Sequence, residues 1–304
     1  MIEHMKHRTA VLALATAGVL WGSSVALSKL SLDWLDSGWL TVMRFAVSAP
    51  VLALIGRKHL RRAFTWRIAV AGGLGYGVTI LFQNAGIEHT SVSHAAILVG
   101  AVPVFVAIAA AGFGHGNSKP LIWLGYGVAM LGIVFVARGG GGGATTGGDM
   151  LVLTSSILCA VFIALQPLLL KDQDAAAVTA VQFFASTLVS APFALISGGL
   201  PHAPASGGPV IAFVALAIFC TVLPFWLFAH GQKGASAELA GAMVNIEPLV
   251  GAVIGWVGFG DPVGPWQIIG ALAVAVGILL SVVPWERISF TALAQRPRTR
   301  SGLI

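Results

Sequence analysis

Two stretches decide how the rest of the chain is read: GIEHTSVSHAAILVGAVP at Gly86–Pro103 and GQKGASAELAGAMVNIEP at Gly231–Pro248. They stand 145 positions apart, so that Gly86 falls on Gly231, Ala95 on Ala240 and Pro103 on Pro248. The same offset places Gly125 on Gly270 and Gly132 on Gly277, and nearer the start an offset of 138 places Arg44-Phe45 on Gln182-Phe183. Each match alone is weak, but matches that keep their order along the chain mark an internal repeat. Within the two stretches Glu88 is answered by Lys233, an exchange of charge that suits two loops on opposite sides of a membrane.

Hydropathy read outward from these stretches gives ten apolar segments of about 20 residues, the length that crosses a bilayer as a helix. They lie near Ala10–Leu30, Gly38–Ile55, Arg67–Ile87, Val92–Gly112, Pro120–Ala137, Asp149–Leu170, Ala176–Ile196, Pro209–Ala229, Glu238–Gly258 and Pro265–Val283. With 57% hydrophobic and 9% charged residues, the chain has too little charge to cover a soluble domain. The loops sort their basic residues by side. Lys6, Arg8, Arg57, Lys58, Arg61, Arg62, Arg67, Lys119, Lys171, Lys233, Arg287, Arg296, Arg298 and Arg300 fall on one face, and Arg138 on the other. Basic short loops stay cytoplasmic, so both termini are expected in the cytoplasm.

The expected fold is therefore an all-α membrane protein of ten transmembrane helices in two five-helix repeats, residues 9–138 and 149–283. Five is odd, so the second repeat is inverted, an architecture of transporters that places the substrate path near the pseudo-two-fold interface. A glycine-rich external linker at 139–148 joins the halves, and 284–304 form a basic cytoplasmic tail. The linker glycines have no Lys-Ser/Thr after them and no strand before them, which argues against a phosphate loop. The net charge of +6 reflects topology and an affinity for anionic headgroups; the basic run Arg57–Arg67 occupies one short loop, so nucleic acid is not an expected partner. The first apolar segment lacks a convincing cleavage site and is read as a retained span. Cys159 and Cys220 suggest neither a disulfide framework nor a metal site, and the chain offers no nucleophile–base pair that would make it an enzyme. No cofactor is expected.

Leu20-Trp21-Gly22-Ser23-Ser24 with Lys29, Arg44-Phe45, Ala85-Gly86 followed by Ser93–Pro103, and Glu247-Pro248 together give the chain a family likeness. It resembles the EamA-type branch of the drug/metabolite transporter superfamily over nearly its whole length, from Thr9 to Val283. The resemblance implies a ten-helix inner-membrane transporter working as a monomer, whose relatives export amino acids, other metabolites and toxic compounds. The second half departs from the first where Cys159 answers Trp21 and Gln182 answers Arg44, so the roles of those residues are not duplicated.

Polar and aromatic groups at membrane depth nominate the site. A charge there costs roughly 2.5–3.5 kcal/mol on insertion scales and is usually kept for a reason. Glu247 is the deepest acid, a candidate for proton coupling or for meeting a substrate ammonium; the competing role is a protonated packing acid. Asn245 lies roughly 200° away around the helix. Its repeat mate is Gly100, which makes the amide a candidate substrate contact. His94, answered by Leu239, could sense external protons or simply cap the helix. Trp21 and Ser24 in the first helix, and Tyr76, Thr79 and Gln83 in the third, form stripes at helical spacing. Phe162, Phe225 and Trp226 add aromatic surface, of which lipid contact is the plainer account. Pro103 and Pro248 should kink the fourth and ninth helices at symmetric gating points. Gly18-x3-Gly22, Gly73-x3-Gly77 and Gly251-x3-Gly255 read first as close packing. Lys29 and Arg44 are expected near the external ends of their helices, snorkelling and neutralised by Asp33, Asp36 and Glu88.

The function this supports is export of small organic solutes, amino acids with aromatic or hydrophobic side chains first, through a mostly apolar cavity by alternating access. Without an ATP motif, the drive is the solute gradient or protons, with Glu247 and then His94 as coupling groups. The alternatives are a nucleotide-sugar or sugar-phosphate exchanger, which should place two basic groups at depth, and a broad-specificity drug or metabolite efflux protein.

Overall fold

The computed structural model describes residues 2–112, 120–139, 143–232 and 246–282. They are helical in the order α1 (Ile2–Gly22), α2 (Ser24–Ser31), α3 (Ser37–Ile55), α4 (Leu60–Ala63), α5 (Trp66–Gly72), a π turn (Gly73–Val78), α6 (Thr79–Glu88), α7 (Val92–Val99), α8 (Val102–Gly112) and α9 (Pro120–Gly139). The second half continues with α10 (Thr146–Leu170), α11 (Ala175–Gly198), α12 (Gly207–Ala217), a second π turn (Ile218–Val222), α13 (Leu223–Gln232), α14 (Ile246–Gly258) and α15 (Pro265–Val282). Among the described residues, six stretches are long and apolar enough to cross a membrane: Arg8–Ser31, Ser37–Ile55, Trp66–Glu88, Thr146–Leu170, Ala175–Ser197 and Gly207–Phe228. Val92–Val106, Trp123–Val136, Ile246–Gly258 and Pro265–Gly277 are shorter apolar helices. These apolar helices make the chain a multi-pass membrane protein.

Helix starts are set by local polar caps. The side chains of Asp36, Ser91, Thr145 and Asp174 accept from the backbone N–H of Trp39, His94, Gly148 and Ala177, each satisfying one of the donors a helix leaves open at its first turn. The Thr145 cap starts α10 at Thr146, inside the stretch expected as linker, while α9 extends to Gly139. The expected 284–304 tail lies outside the described residues.

Glycine decides the long-range packing. A Cβ on Gly38 would lie 2.7 Å from the Ala194 Cα, and one on Gly56 the same distance from the Ala177 Cα, so α3 and α11 run antiparallel in backbone contact. Likewise Gly255 meets Ser93, Gly251 meets Ala96 and Gly100 meets Pro248, which sets α7 antiparallel to α14. Gly132 faces Gly270 and Gly125 faces Gly277 where α9 crosses α15, also antiparallel. Gly73 and Gly77 seat against Val189 and Ser186 of α11, and Gly22 against Val250 and the Glu247 carbonyl. The small-residue motifs are thus packing surfaces between halves of the chain, as lipid-embedded helices require when apolar burial alone cannot bring them together.

Two breaks in helical regularity were not foreseen. The π turns at Gly73–Val78 and Ile218–Val222 occupy matching places, since 73 plus 145 is 218. Such turns free backbone carbonyls and are frequent at functional sites. The fourth apolar segment is interrupted at Gly100–Ala101, ahead of Pro103, which sits in the first turn of α8. A proline there costs no helical hydrogen bond, so it starts the second helix rather than kinking a continuous one. Gly100 lets the break approach Pro248, where a Cβ would lie 2.7 Å from the proline Cβ. Pro248 is the third residue of α14.

Candidate functional site

Seven rings from six helical segments meet between the halves. Trp21 at the end of α1 lies 5.5 Å from Phe225 and 5.4 Å from Phe228 on α13. Tyr76, in the first π turn, contacts Phe162 of α10 at 4.7 Å, Phe183 of α11 at 5.1 Å, Phe225 at 6.0 Å and Phe45 of α3 at 6.1 Å. Phe45 and Phe183 touch at 4.7 Å, and Phe183 and Phe225 at 5.8 Å. The contacts are tilted or edge-to-face, the arrangements favoured by ring quadrupoles. Trp21, Tyr76, Phe225 and Phe228 keep partial exposure, while Phe45, Phe162 and Phe183 are buried.

Polar groups meet close by on the same helices. Arg44 is buried about 10 Å into α3 by helical rise, far from the peripheral place expected of it. Its Nε donates to the Thr221 hydroxyl at 2.8 Å and its Nη2 to the Cys220 carbonyl at 3.5 Å, both on the second π turn. Cys220 Sγ and Ser23 Oγ are 3.4 Å apart. Beside Ser23, Gly22 lies against the Glu247 carbonyl. Glu247, in the first turn of α14 and partly exposed, is near enough to Arg44 for the two side chains to interact electrostatically. Nevertheless, among the described residues the ion pair within 4 Å is His94–Asp149, and Arg44 and Glu247 do not touch.

Of the residues nominated from sequence, the structure joins Trp21, Tyr76, Phe162 and Phe225, with Glu247 near them. Ser24 opens α2 after a turn at Ser23 and is partly exposed. The stripe Tyr76, Thr79, Gln83 is bent by the π turn: Thr79 is buried and returns its hydroxyl to the Leu74 carbonyl at 3.5 Å, while Gln83 stays partly exposed beyond it. Trp226 has half its surface exposed. Asn245 lies outside the described residues. Phe45, Phe183, Phe228 and Arg44 are additions. Of these, Phe45 and Phe183 carried a signal in the sequence, since they align at the offset of 138 and touch in the structure.

His94 belongs to a different place. Its Nδ1 is 3.3 Å from Asp149 Oδ2, and Asp149 also accepts from the Thr90 hydroxyl. Thirteen residues of α10 separate Asp149 from Phe162, about 20 Å of helix. At this same end Lys29 Nζ donates to the carbonyls of Ile87 (2.6 Å), Glu88 (3.0 Å) and Thr90 (2.9 Å), and Asp261 accepts from Ser93 N–H at 2.7 Å. Lys29 thus caps the C-terminus of α6, where open carbonyls and the helix dipole favour a cation, instead of pairing with acids. The network ties α2, the α6–α7 turn, α10 and the α14–α15 loop together. Asp149→Ala leaves buried partners unsatisfied and is expected to cost about 1–3 kcal/mol, read as a lower thermal midpoint in detergent. Asp149→Asn, which still accepts a hydrogen bond, should lose less.

The sequence pattern of the EamA-like transporter family matches this chain twice, at residues 8–138 and 146–283. An uncharacterized transporter of Archaeoglobus fulgidus is 25% identical over 279 residues, spanning 89% of this chain and 96% of the relative. A probable terminal-alkyne amino-acid exporter of Streptantibioticus cattleyicolor is 25% identical over 286 residues, 91% of this chain and 94% of its own. A solved crystal structure superposes with a TM-score of 0.67 at 18% identity, covering 93% of this chain and 99% of that one, a likeness of fold. Since the family pattern accounts for both halves of the chain and not for a fragment of it, the protein belongs to the EamA-like transporter family.

Proposed function

We propose that this transporter exports amino acids and related small metabolites, aromatic or hydrophobic ones foremost, across a bacterial inner membrane. Ten spans form two inverted five-helix repeats with both termini cytoplasmic, and the protein acts as a monomer. Support for the inversion comes from packing. The repeat-related pairs α3/α11, α7/α14 and α9/α15 each run antiparallel, as an in-plane two-fold axis demands. The glycines obey the same symmetry crosswise, since Gly125 meets Gly277, the mate of Gly132, and Gly132 meets Gly270, the mate of Gly125.

The observation that carries the substrate reading is the partly open cluster of seven rings with Glu247 beside it. Aromatic faces accept an apolar side chain, and a carboxylate at that depth accepts an ammonium or a proton. Competition between the two for Glu247 would couple export to proton entry. The α9/α15 contact is backbone to backbone, and the repeats would rock about this and similar small-residue crossings. The polar network at the His94 end would close the external side in this conformation. A phosphate exchanger is disfavoured because, among the described residues, Lys29 is committed to carbonyls and Arg44 is the one basic group left at depth.

The test is counterflow and efflux of labelled amino acids, sugars and sugar phosphates from proteoliposomes, with and without an imposed pH gradient. Saturable amino-acid flux above that of empty vesicles is the expected result. Flux restricted to phosphorylated solutes would overturn the substrate class, and flux without counterflow would indicate a channel.

A further inference from the structure

Arg44 is more than nine-tenths buried, yet its partners are few. A guanidinium carries five N–H donors. Nε and Nη2 each have one acceptor, at Thr221 and Cys220, and Nη1 has no partner among the described residues. The side chain runs from α3 to the second π turn, whose Cys220 also meets Ser23 of the α1–α2 junction. On the far side of Ser23, the Glu247 carbonyl abuts Gly22. Contacts thus lead from Arg44 through Cys220 and Ser23 to Gly22 and the Glu247 backbone, and the Arg44 and Glu247 side chains, near enough to interact electrostatically, form no ion pair.

Leaving such charges apart in an apolar interior is unfavourable unless something with complementary charges comes between. A zwitterion does this, offering an ammonium to the carboxylate and a carboxylate to the guanidinium at the same time. Two charge-assisted hydrogen bonds of about 2.8 Å, one at each end, replace the missing direct pair. The binding of Arg44 to Thr221 and Cys220 fixes the plane of the fork, so its free edge is presented in one orientation. The repeat mate Gln182 cannot serve in the same way: it is buried in a reciprocal pair of hydrogen bonds with Gln166, at 3.0 and 3.1 Å. The site consequently has one carboxylate-reading end.

The geometry points to Arg44 as the residue that binds the substrate α-carboxylate, with Glu247 taking the ammonium and the rings around Tyr76 receiving the side chain. This inference rests on the amino-acid reading above and sharpens it, for it requires both charges on one substrate. Simple amines and simple carboxylic acids each leave one buried charge uncompensated.

The experiment compares, in proteoliposomes of the full-length protein, counterflow of phenylalanine, its carboxamide and its deaminated acid. For the wild type, the half-saturation concentration should rise at least tenfold when the carboxylate is amidated. Arg44→Gln should raise the value for phenylalanine to that of the carboxamide and leave the carboxamide itself unchanged, while Arg44→Lys keeps the charge, loses the fork and falls between. Equal handling of phenylalanine and its carboxamide by the wild type overturns the assignment without needing any variant to fold. So does an Arg44→Gln defect of the same size on both substrates, since a merely structural role predicts that pattern. If the wild type carries other amino acids but not phenylalanine, the same comparison is made with the best of them. If it carries none, the amino-acid reading fails and the assignment falls with it.

Discussion

Glu247→Gln is expected to leave the protein folded and to reduce amino-acid efflux by about tenfold to a hundredfold, the cost of losing one ionic hydrogen bond at a desolvated site. Glutamine keeps the length and shape of the side chain, so the packing of Gly22 against the α14 backbone is undisturbed. What it loses is the titratable carboxyl, whose ionised form Arg44 favours. Two consequences separate coupling from carriage. An outside-acid gradient should accelerate wild-type efflux, because a proton arriving from outside displaces the ammonium, and it should have no effect on the glutamine variant. Glu247→Asp, one methylene shorter, retains the titratable group and should keep the gradient response at reduced flux. Efflux from Glu247→Gln that still doubles or triples under the gradient would move proton coupling elsewhere, and His94 beside Asp149 would be the next group to replace.

Hydropathy and charge made most of the helices legible. Ser37–Ile55, Trp66–Glu88 and Ala175–Ser197 lie within a few residues of their expected limits, because the lipid requirement for about 20 apolar residues is written along the chain itself. The packing glycines were legible too, since Gly125 and Gly132 align on Gly270 and Gly277 in the sequence, and the same four glycines oppose one another crosswise in space. The π turns were not. An extra residue in a helical turn alters no composition, and Gly73–Val78 reads as an ordinary small-residue stripe until its backbone is seen. Nor could sequence give the depth of Arg44. Hydropathy averages over a span, whereas the place of a guanidinium depends on Thr221, a partner 177 residues away. Lys29 shows the same gap: acids nearby in sequence suggested ion pairs, but the carbonyls left open at the end of α6 were better placed. The aromatic cluster was half legible, with Trp21, Tyr76, Phe162 and Phe225 found by stripe and depth. Phe45 and Phe183 required taking the 138-residue offset as a statement about contact.

Gly132→Val is expected to be among the most destabilising single changes in the transporter. A Cβ at Gly132 would lie 2.6 Å from the Gly270 carbonyl oxygen and 2.7 Å from the Val274 nitrogen, both backbone atoms of α15. A flexible side chain could rotate away; a helix backbone cannot, so α9 and α15 must separate along their crossing. Overpacking of this kind costs about 1–3 kcal/mol, and the branched valine adds further volume at the closest approach. Gly270→Val should behave alike, because its Cβ would lie 2.6 Å from the Gly132 carbonyl oxygen and against Val136. The two changes should not add. Once one side chain has opened the crossing, the second enters space already made, and the double variant should be less destabilised than the two singles combined. Gly127→Ala supplies the control on the same helix. Nothing lies within 4 Å of a Cβ there, so the gain in helix propensity should leave the thermal midpoint unchanged or slightly raised. Equal losses at Gly127 and Gly132 would mean that α9 tolerates no substitution at all, and the antiparallel glycine crossing would lose its place as the contact that holds the two halves together.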